Sequence, residues 1–556
     1  MNKKVCSFPI LFALLALLIG TCAVVFPASA QAAPTSTGSI TVSGTVARSY
    51  DAYQIFSANV VDGDSDAKIA TDLAWASDDA RDAALPVLHS AGMPNSQTTA
   101  QEAAEWLNTD SHLTSALSAQ LARSLKSSGA VPVALNAGTE AKLPCGYWLI
   151  VADDDAIAQG EAGTAPIMAL VGGSAVTVKP KAATPKVAKH VLEDSAAAWQ
   201  KAADATVADD LYWRLSATVP AGLSAYDTYA VQFVDTMSAG LDPSKVAASM
   251  RVYVAAGADG GFGAVQTDKD GRAGTEPAKG WTDITAQCAT KVAADGKTFT
   301  VRTGDLIAAL GGADAFTAGA RVVAVYNAPL NSACNHGIAK GNPNEVYLRY
   351  PRSPFADQSG DAGFTCTPSD DACAYTWDLA LTKRGSDGDK PLAGAVLSIA
   401  DDRGRTLSAD GTWDAEGKAT VTTGEDGRVT VSGVDSGKLE VRELKAPKGY
   451  TAFEGTRSVT VKAEGLDVDQ VAAAKPKLTI TAESPLRADS ADGSTGSLEA
   501  SLINTPTGTP PSITTGGFMP STGDMAMYAA AAAAVAGAAL IVVALLVKRG
   551  GGSHKE

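Results

Sequence analysis

The chain has 556 residues, enough for three or four domains of ordinary size, and a formal net charge of −15. That acidity argues against a nucleic-acid partner, because polyanions bind basic patches and none stands out here. With 46% hydrophobic residues and many apolar runs that alternate as strands do, the chain is not disordered; its acidic, Gly/Ala/Thr-rich composition fits a soluble extracellular rod.

At the N-terminus, Lys3-Lys4 precedes an apolar stretch from Phe8 to Phe26 and the small residues Ala28-Ser29-Ala30. This is the pattern of a secretory leader over residues 1–30, cut after Ala30 with Ala32 as the alternative. Gly/Pro/Ser/Thr-rich breaks divide the rest of the chain. A first domain spans 33–180. It opens with the alternating strand Ser39-Ile40-Thr41-Val42 and closes with strands near Tyr147–Val151 and Ala175–Val178. Between them the spacing predicts a helical stretch over Thr98–Lys126. Leu113, Leu117, Leu121 and Leu125 recur four apart there, and Ala103 and Leu107 precede them at the same spacing.

The linker Pro180-Lys181-Ala182-Ala183-Thr184-Pro185 leads into a strand-rich second domain over 185–354. A third domain, 374–504, repeats short strands between turns such as Ser386-Asp387-Gly388-Asp389, the mark of a β-sandwich. A Thr/Pro/Gly spacer, 505–518, comes next. The end, 519–556, carries Met519-Pro520-Ser521-Thr522-Gly523, an apolar run over 525–547 and then Lys548-Arg549. A run of about 20 apolar residues spans a bilayer, and the basic pair holds its end on the cytoplasmic side.

Five His lie far apart and form no metal-ligand spacing, and no nucleophile–base set suggests an enzyme, so neither metal nor cofactor is expected. In an oxidising compartment Cys366–Cys373 and Cys288–Cys334 are candidate disulfides, which leaves Cys145 over; buried unpaired thiols are the alternative.

The third domain holds the most informative pattern. Residues two apart on a strand share a face. One face reads Tyr375, Trp377, Leu379, Leu381, Lys383; another Leu439, Val441, Glu443; a third Leu498, Ala500, Leu502, Asn504. Each apolar face ends in one polar residue. Burial disfavours the charged forms of both a lysine and a glutamate. A neutral Lys383 can attack the Asn504 side-chain carbonyl while protonated Glu443 polarises it. Ammonia leaves and an amide cross-link remains. The alternative is a snorkelling Lys383 paired with Glu443 at the domain edge.

Several motifs carry a resemblance. Met519–Gly523, with the span and tail behind it, resembles the Leu-Pro-x-Thr-Gly sorting signal of sortase substrates, with Met in place of Leu. Leu439–Tyr450 looks like the E-box of Cna B-type pilin domains, matching at Glu443, Ala446, Pro447, Gly449 and Tyr450. Pro391–Ala395 and Asn504-Thr505-Pro506 resemble the family's segments after the Lys strand and around the acceptor. Tyr50–Phe56 is similar to the opening of N-terminal domains in sortase-assembled backbone pilins, and Asn331 and Gly341-Asn342-Pro343-Asn344 to parts of their middle domain.

The resemblance implies a mainly β chain. Tandem immunoglobulin-like, Cna-type sandwiches would form a rod, with a helical insertion in the N-terminal domain, a signal peptide and a C-terminal transmembrane helix. It implies a Gram-positive pilus shaft subunit, wall-anchored by a housekeeping sortase and polymerised by a pilus-type sortase. The donor would be Thr522, cut before Gly523. The acceptor would be Lys181, with Lys179 as the alternative, in Val176-Thr177-Val178-Lys179-Pro180-Lys181. The partners implied are the sortases, identical subunits, peptidoglycan and host surface ligands. The rival reading is a wall-anchored adhesin or tip pilin. In the family's middle domain a second lysine and acid fit Lys189 and Asp235, but Tyr350-Pro351-Arg352-Ser353-Pro354 stands where the acceptor carboxamide is sought. The expectation is therefore an Arg352–Asp235 ion pair, no middle cross-link, and no N-terminal cross-link.

Overall fold

A computed structural model describes residues 36–44, 48–64, 67–109, 111–157, 160–180, 184–221, 223–257 and 280–508. The leader, Lys181 and the whole sorting signal, Met519 to Gly523 included, lie outside the described residues.

The first domain comprises β1 (Thr37–Val42), β2 (Ser49–Asp62), β3 (Lys68–Trp75), α1 (Asp78–Ser90), α2 (Ala100–Leu107), α3 (Ser115–Lys126), β4 (Val133–Asn136), β5 (Glu140–Pro144), β6 (Gly146–Ala152), β7 (Ile167–Val171) and β8 (Val176–Val178). One sheet runs β5-β1-β8 and the other β3-β2-β6-β7, with β4 beside β2. Strand β2 serves two cores because its faces alternate. Tyr50 and Ala52 pack between the sheets, whereas Tyr53 and Ile55 pack under the helices. The helical stretch is two helices. Thr99 and Glu102 form a capping box at α2, and Thr114 caps α3, so Leu113 falls before that helix and is exposed. Helix α1 was not expected: its apolar face is mostly alanine and it carries Pro86.

The second domain comprises β9 (Val187–Glu193), β10 (Ala198–Gln200), β11 (Ala202–Asp204), β12 (Tyr212–Thr218), β13 (Gln232–Met237), β14 (Arg251–Ala255), β15 (Thr282–Asp283), β16 (Ala289–Val292), β17 (Thr298–Arg302), β18 (Arg321–Asn327), β19 (Asn342–Pro351), β20 (Phe364–Cys366) and β21 (Asp370–Tyr375). Its sheets, β10-β9-β12-β18-β14-β15 and β11-β21-β19-β13-β17-β16, enclose a core that includes Trp213, Phe233, Phe299 and Tyr326. This sheet pair continues to Tyr375, past the expected end at 354. Tyr375 closes β21 and does not share a strand with Lys383.

The third domain comprises β22 (Trp377–Gly385), β23 (Val396–Ala400), β24 (Thr406–Leu407), β25 (Trp413–Asp414), β26 (Val421–Thr422), β27 (Arg428–Val434), β28 (Gly437–Lys445), β29 (Tyr450–Thr451), β30 (Thr456–Glu464), β31 (Lys477–Ala482), β32 (Leu486–Asp492) and β33 (Ser497–Pro506). The sheets run β27-β22-β33-β29 and β25-β24-β23-β28-β30-β31. Leu379, Leu381, Val441, Leu498 and Leu502 fill the space between them, and each fully buried aliphatic side chain contributes about 2 kcal/mol. First strand β22 and last strand β33 are parallel neighbours, with Lys383 opposite Leu502 and Gly385 opposite Asn504.

The domains are joined by polar contacts. The Gly163 N–H donates to the Arg352 carbonyl at 2.6 Å, and the Tyr350 hydroxyl donates to the Glu161 carbonyl at 3.1 Å. Asp204 accepts from Trp377 Nε1 at 2.6 Å and from the Ser436 N–H at 2.9 Å, and Arg403 meets Asp209 at 2.7 Å.

Candidate functional site

Two buried clusters join an amine, a carboxyl group and a carboxamide. In the third domain the alternation of β22 carries Lys383 inward, β33 carries Asn504 and β28, on the facing sheet, carries Glu443. Lys383 is 0% exposed, Asn504 2% and Glu443 6%. Lys383 Nζ donates to the Leu502 carbonyl at 3.0 Å and lies 3.8 Å from Glu443 Oε1. Asn504 Nδ2 donates to both Glu443 oxygens, at 2.9 and 3.1 Å, and the Phe453 N–H holds Oε2 at 3.1 Å. Asn504 Oδ1 is buried without a partner. Burial pushes the Lys383 amine down to about 8, against the pull of Glu443.

The middle domain holds a second cluster. Lys189 on β9 and Tyr326 on β18 belong to one sheet; Asp235 on β13 and Asn344 on β19 belong to the other. Asn344 lies opposite Met237, two residues from Asp235, so both point into the same core. Lys189, Asp235 and Asn344 are fully buried, as is the Tyr326 side chain. Lys189 Nζ donates to Asp235 Oδ2 and, at 2.9 Å, to the Tyr326 hydroxyl. That hydroxyl donates to Asp235 Oδ2 at 3.0 Å and accepts from Asn344 Nδ2 at 2.8 Å. Asp235 Oδ1 and Asn344 Oδ1 are buried without partners. Burial lowers the Lys189 amine to about 8 and raises Asp235, in each case against the attraction of the other.

This arrangement overturns the expected Arg352–Asp235 pair. Asp235 lies opposite Val346 in the ladder, and β19 ends at Pro351. Six residues of strand, roughly 20 Å, separate Val346 from Arg352. Arg352 instead turns to the first domain, where its guanidinium donates to the Asp154 carbonyl at 3.3 Å. The carboxamide sought there stands eight residues earlier, at Asn344. Part of its signal was available: Asn342, Asn344, Val346, Leu348 and Tyr350 form one buried face that begins with two amides.

The expected disulfides are not formed. Cys366 lies opposite Arg349 and Cys373 opposite Pro343. The intervening chain runs straight along β19, so the two stand six strand positions apart, far beyond disulfide reach. Cys288 Sγ bonds the Ile284 carbonyl at 3.3 Å, and Cys334 Sγ lies 3.5 Å from His336 Nε2. Among the described residues no group of His, Cys, Asp or Glu is arranged to hold a metal ion. Lys179 is exposed at the end of β8.

Residues 378–475 match the family model for SpaA, a prealbumin-like fold domain. Over 143 residues the chain is 30% identical to the trypsin-resistant surface T6 protein of Streptococcus pyogenes serotype M6. That alignment covers 24% of each protein, so the chain spans about a quarter of the length of the curated relative it matches. Among solved structures, the T6 backbone pilin of serotype M6 Streptococcus pyogenes aligns at 17% identity with a TM-score of 0.45, covering 85% of this chain and 98% of that one. The major pilin SpaD of Corynebacterium diphtheriae aligns at 15% identity with a TM-score of 0.40, covering 85% and 98%.

Proposed function

We propose that this chain is the repeating structural subunit of a covalent surface pilus of a Gram-positive bacterium, hardened by two self-made Lys–Asn amide bonds. One joins Lys383 to Asn504 with Glu443 as acid and base. The other joins Lys189 to Asn344 with Asp235 in that role. The observation that carries the reading is the meeting of amine, carboxyl and carboxamide in a dry core, twice, on unrelated strand pairs.

The chemistry follows from burial. At pH 7 an amine with a pKa near 8 is neutral in about one molecule in ten, against about one in a few thousand for an exposed lysine. Neutral Lys383 Nζ attacks Asn504 Cγ. The Glu443 carboxyl group, to which a half-turn of the amide presents Oδ1, supports the charge gathering on that oxygen. Glu443 then gives a proton to Nδ2 and recovers one from the attacking nitrogen. The Cγ–Nδ2 bond breaks and ammonia departs. Each site turns over once, so the chain modifies itself and is not an enzyme acting on other molecules.

Export, sortase cleavage between Thr522 and Gly523, linkage to Lys181 of an identical subunit and final attachment to peptidoglycan complete the reading. The motifs at 519–523 and 176–181 and the likeness to the T6 surface protein support it. The test is the intact mass of the secreted domains followed by peptide mapping. The expected result is a mass short by two ammonias, with Lys189–Asn344 and Lys383–Asn504 peptides. A mass short by none ends the proposal, and a mass short by one confines it to the domain whose linked peptide is found.

A further inference from the structure

The two clusters differ in how the acid reaches the departing nitrogen. In the third domain Glu443 touches it directly, both oxygens accepting from Asn504 Nδ2 at 2.9 and 3.1 Å. The middle acid is an aspartate, one methylene shorter, and its contact with Asn344 Nδ2 runs through the Tyr326 hydroxyl. That oxygen lies 2.9 Å from Lys189 Nζ, 3.0 Å from Asp235 Oδ2 and 2.8 Å from Asn344 Nδ2. It therefore touches nucleophile, acid and leaving group at once, using its one proton and both lone pairs.

We propose that Tyr326 is a catalytic residue of the middle domain, relaying the proton that lets ammonia leave Asn344. The inference rests on the reading that the Lys189–Asn344 bond forms. Neutral Lys189 Nζ adds to Asn344 Cγ, and the carbonyl π pair moves onto Oδ1. In the tetrahedral adduct Nδ2 is no longer an amide nitrogen. It carries a lone pair, so its hydrogen bond to Tyr326 reverses. Tyr326 gives its proton to Nδ2, protonated Asp235 replaces that proton, and Asp235 recovers one from the former lysine nitrogen. The Cγ–Nδ2 bond breaks with its pair going to nitrogen, and the Oδ1 pair restores the carbonyl. One ammonia leaves, one amide forms, and no group outside the cluster is consumed. Burial and the neighbouring Asp235 carboxylate both raise the Tyr326 phenol well above its ordinary value, so it holds its proton until the adduct can take it.

A merely structural tyrosine is the competing account, since the ring packs edge-on against Phe299 at 4.8 Å. Tyr326→Phe keeps the ring and removes only the hydroxyl. The full chain is made by pulsed cell-free synthesis and followed by intact mass and peptide mapping. Expected for Tyr326→Phe is a Lys383–Asn504 bond formed at the unmodified chain's rate and a Lys189–Asn344 bond slowed about 10²-fold or more. Both bonds forming at the unmodified rate would overturn the relay. An unmodified chain that never yields the Lys189–Asn344 peptide would instead sink the reading beneath it. If Tyr326→Phe does not fold, the unmodified chain carries the test in mixtures of light and heavy water. A relay moving several protons gives a bowed dependence of the middle bond's rate on deuterium fraction, and a straight line refutes it. Incorporating 3-fluorotyrosine at 326, which retains the hydroxyl, is expected to restore the bond; a rate no better than that of Tyr326→Phe refutes the relay.

Discussion

Replacing Asn504 by alanine removes the electrophile of the third domain and leaves Lys383 and Glu443 in place. The bond it abolishes would close a loop of about 120 residues between β22 and β33. Closing such a loop in advance takes about 5 kcal/mol of chain entropy away from the unfolded state. A domain of about 130 residues melts with an entropy near 0.3 kcal/mol per kelvin, so losing the bond lowers Tm by about 15–20 °C. Scanning calorimetry of the full secreted chain resolves the third domain's transition, and intact mass shows whether the variant retains one more ammonia than the unmodified protein. Glu443→Gln, which preserves size but cannot carry the proton, is expected to behave alike. A Tm change below about 5 °C, with no difference in ammonia content beyond the substitution itself, would refute the reasoning: the amine and amide would then be neighbours that never react.

Bond formation in the middle domain has a defined pH dependence. The Lys189–Asp235 ion pair and the reactive neutral pair hold the same number of protons, so the rate is flat between the raised Asp235 pKa and about 8. It falls above about 8, where the shared proton is lost, and in acid, where both groups are protonated; pulsed synthesis at several pH values reads this from the mass. Arg352→Ala leaves both linked peptides intact, since the guanidinium lies at Asp154 and away from Asp235; loss of the middle peptide would contradict this. Cys288 and Cys334 take up an alkylating reagent in the unfolded, unreduced protein, whereas a bridged pair would not. Lys181→Ala abolishes the high-mass ladder of surface extracts, and a surviving ladder assigns the linkage to another lysine, with Lys179 tested next.

The third-domain cluster was legible because each of its residues closes an apolar face. Lys383, Glu443 and Asn504 stand at the polar ends of strands whose inner positions are otherwise Trp, Leu, Val and Ala, and alternation alone aims them inward. The middle cluster was half-legible for the opposite reason. Lys189 and Asp235 obey the same rule, but the acceptor was sought by family position near Arg352, whereas alternation along β19 points to Asn342 and Asn344 and only the contacts of the fold choose between them. Tyr326 gave no signal, since a tyrosine ending an apolar strand is ordinary core until the hydroxyl's neighbours are known. The disulfides failed because a short separation in sequence says nothing about whether the chain turns back, and between Cys366 and Cys373 it runs on. Helix α1 was hidden by an alanine-rich face and an internal proline.

The parallel pairing of β22 with β33 decides what happens under tension. If the proposed amide forms, a pull entering at Trp377 would climb the few residues to Lys383, cross to Asn504 and leave through Pro506, so nearly the whole third domain would be off the load path. Such a module could melt without growing longer. The middle domain is wired differently: its bond would end at Asn344, and the chain must still traverse β19, β20 and β21 before reaching Tyr375. Those roughly 30 residues stay loaded and could extend by about 100 Å if torn loose. One subunit would thus combine an inextensible link with a yielding one, and a fibre of such subunits would absorb a sudden jerk in its middle domains while every third domain kept its length.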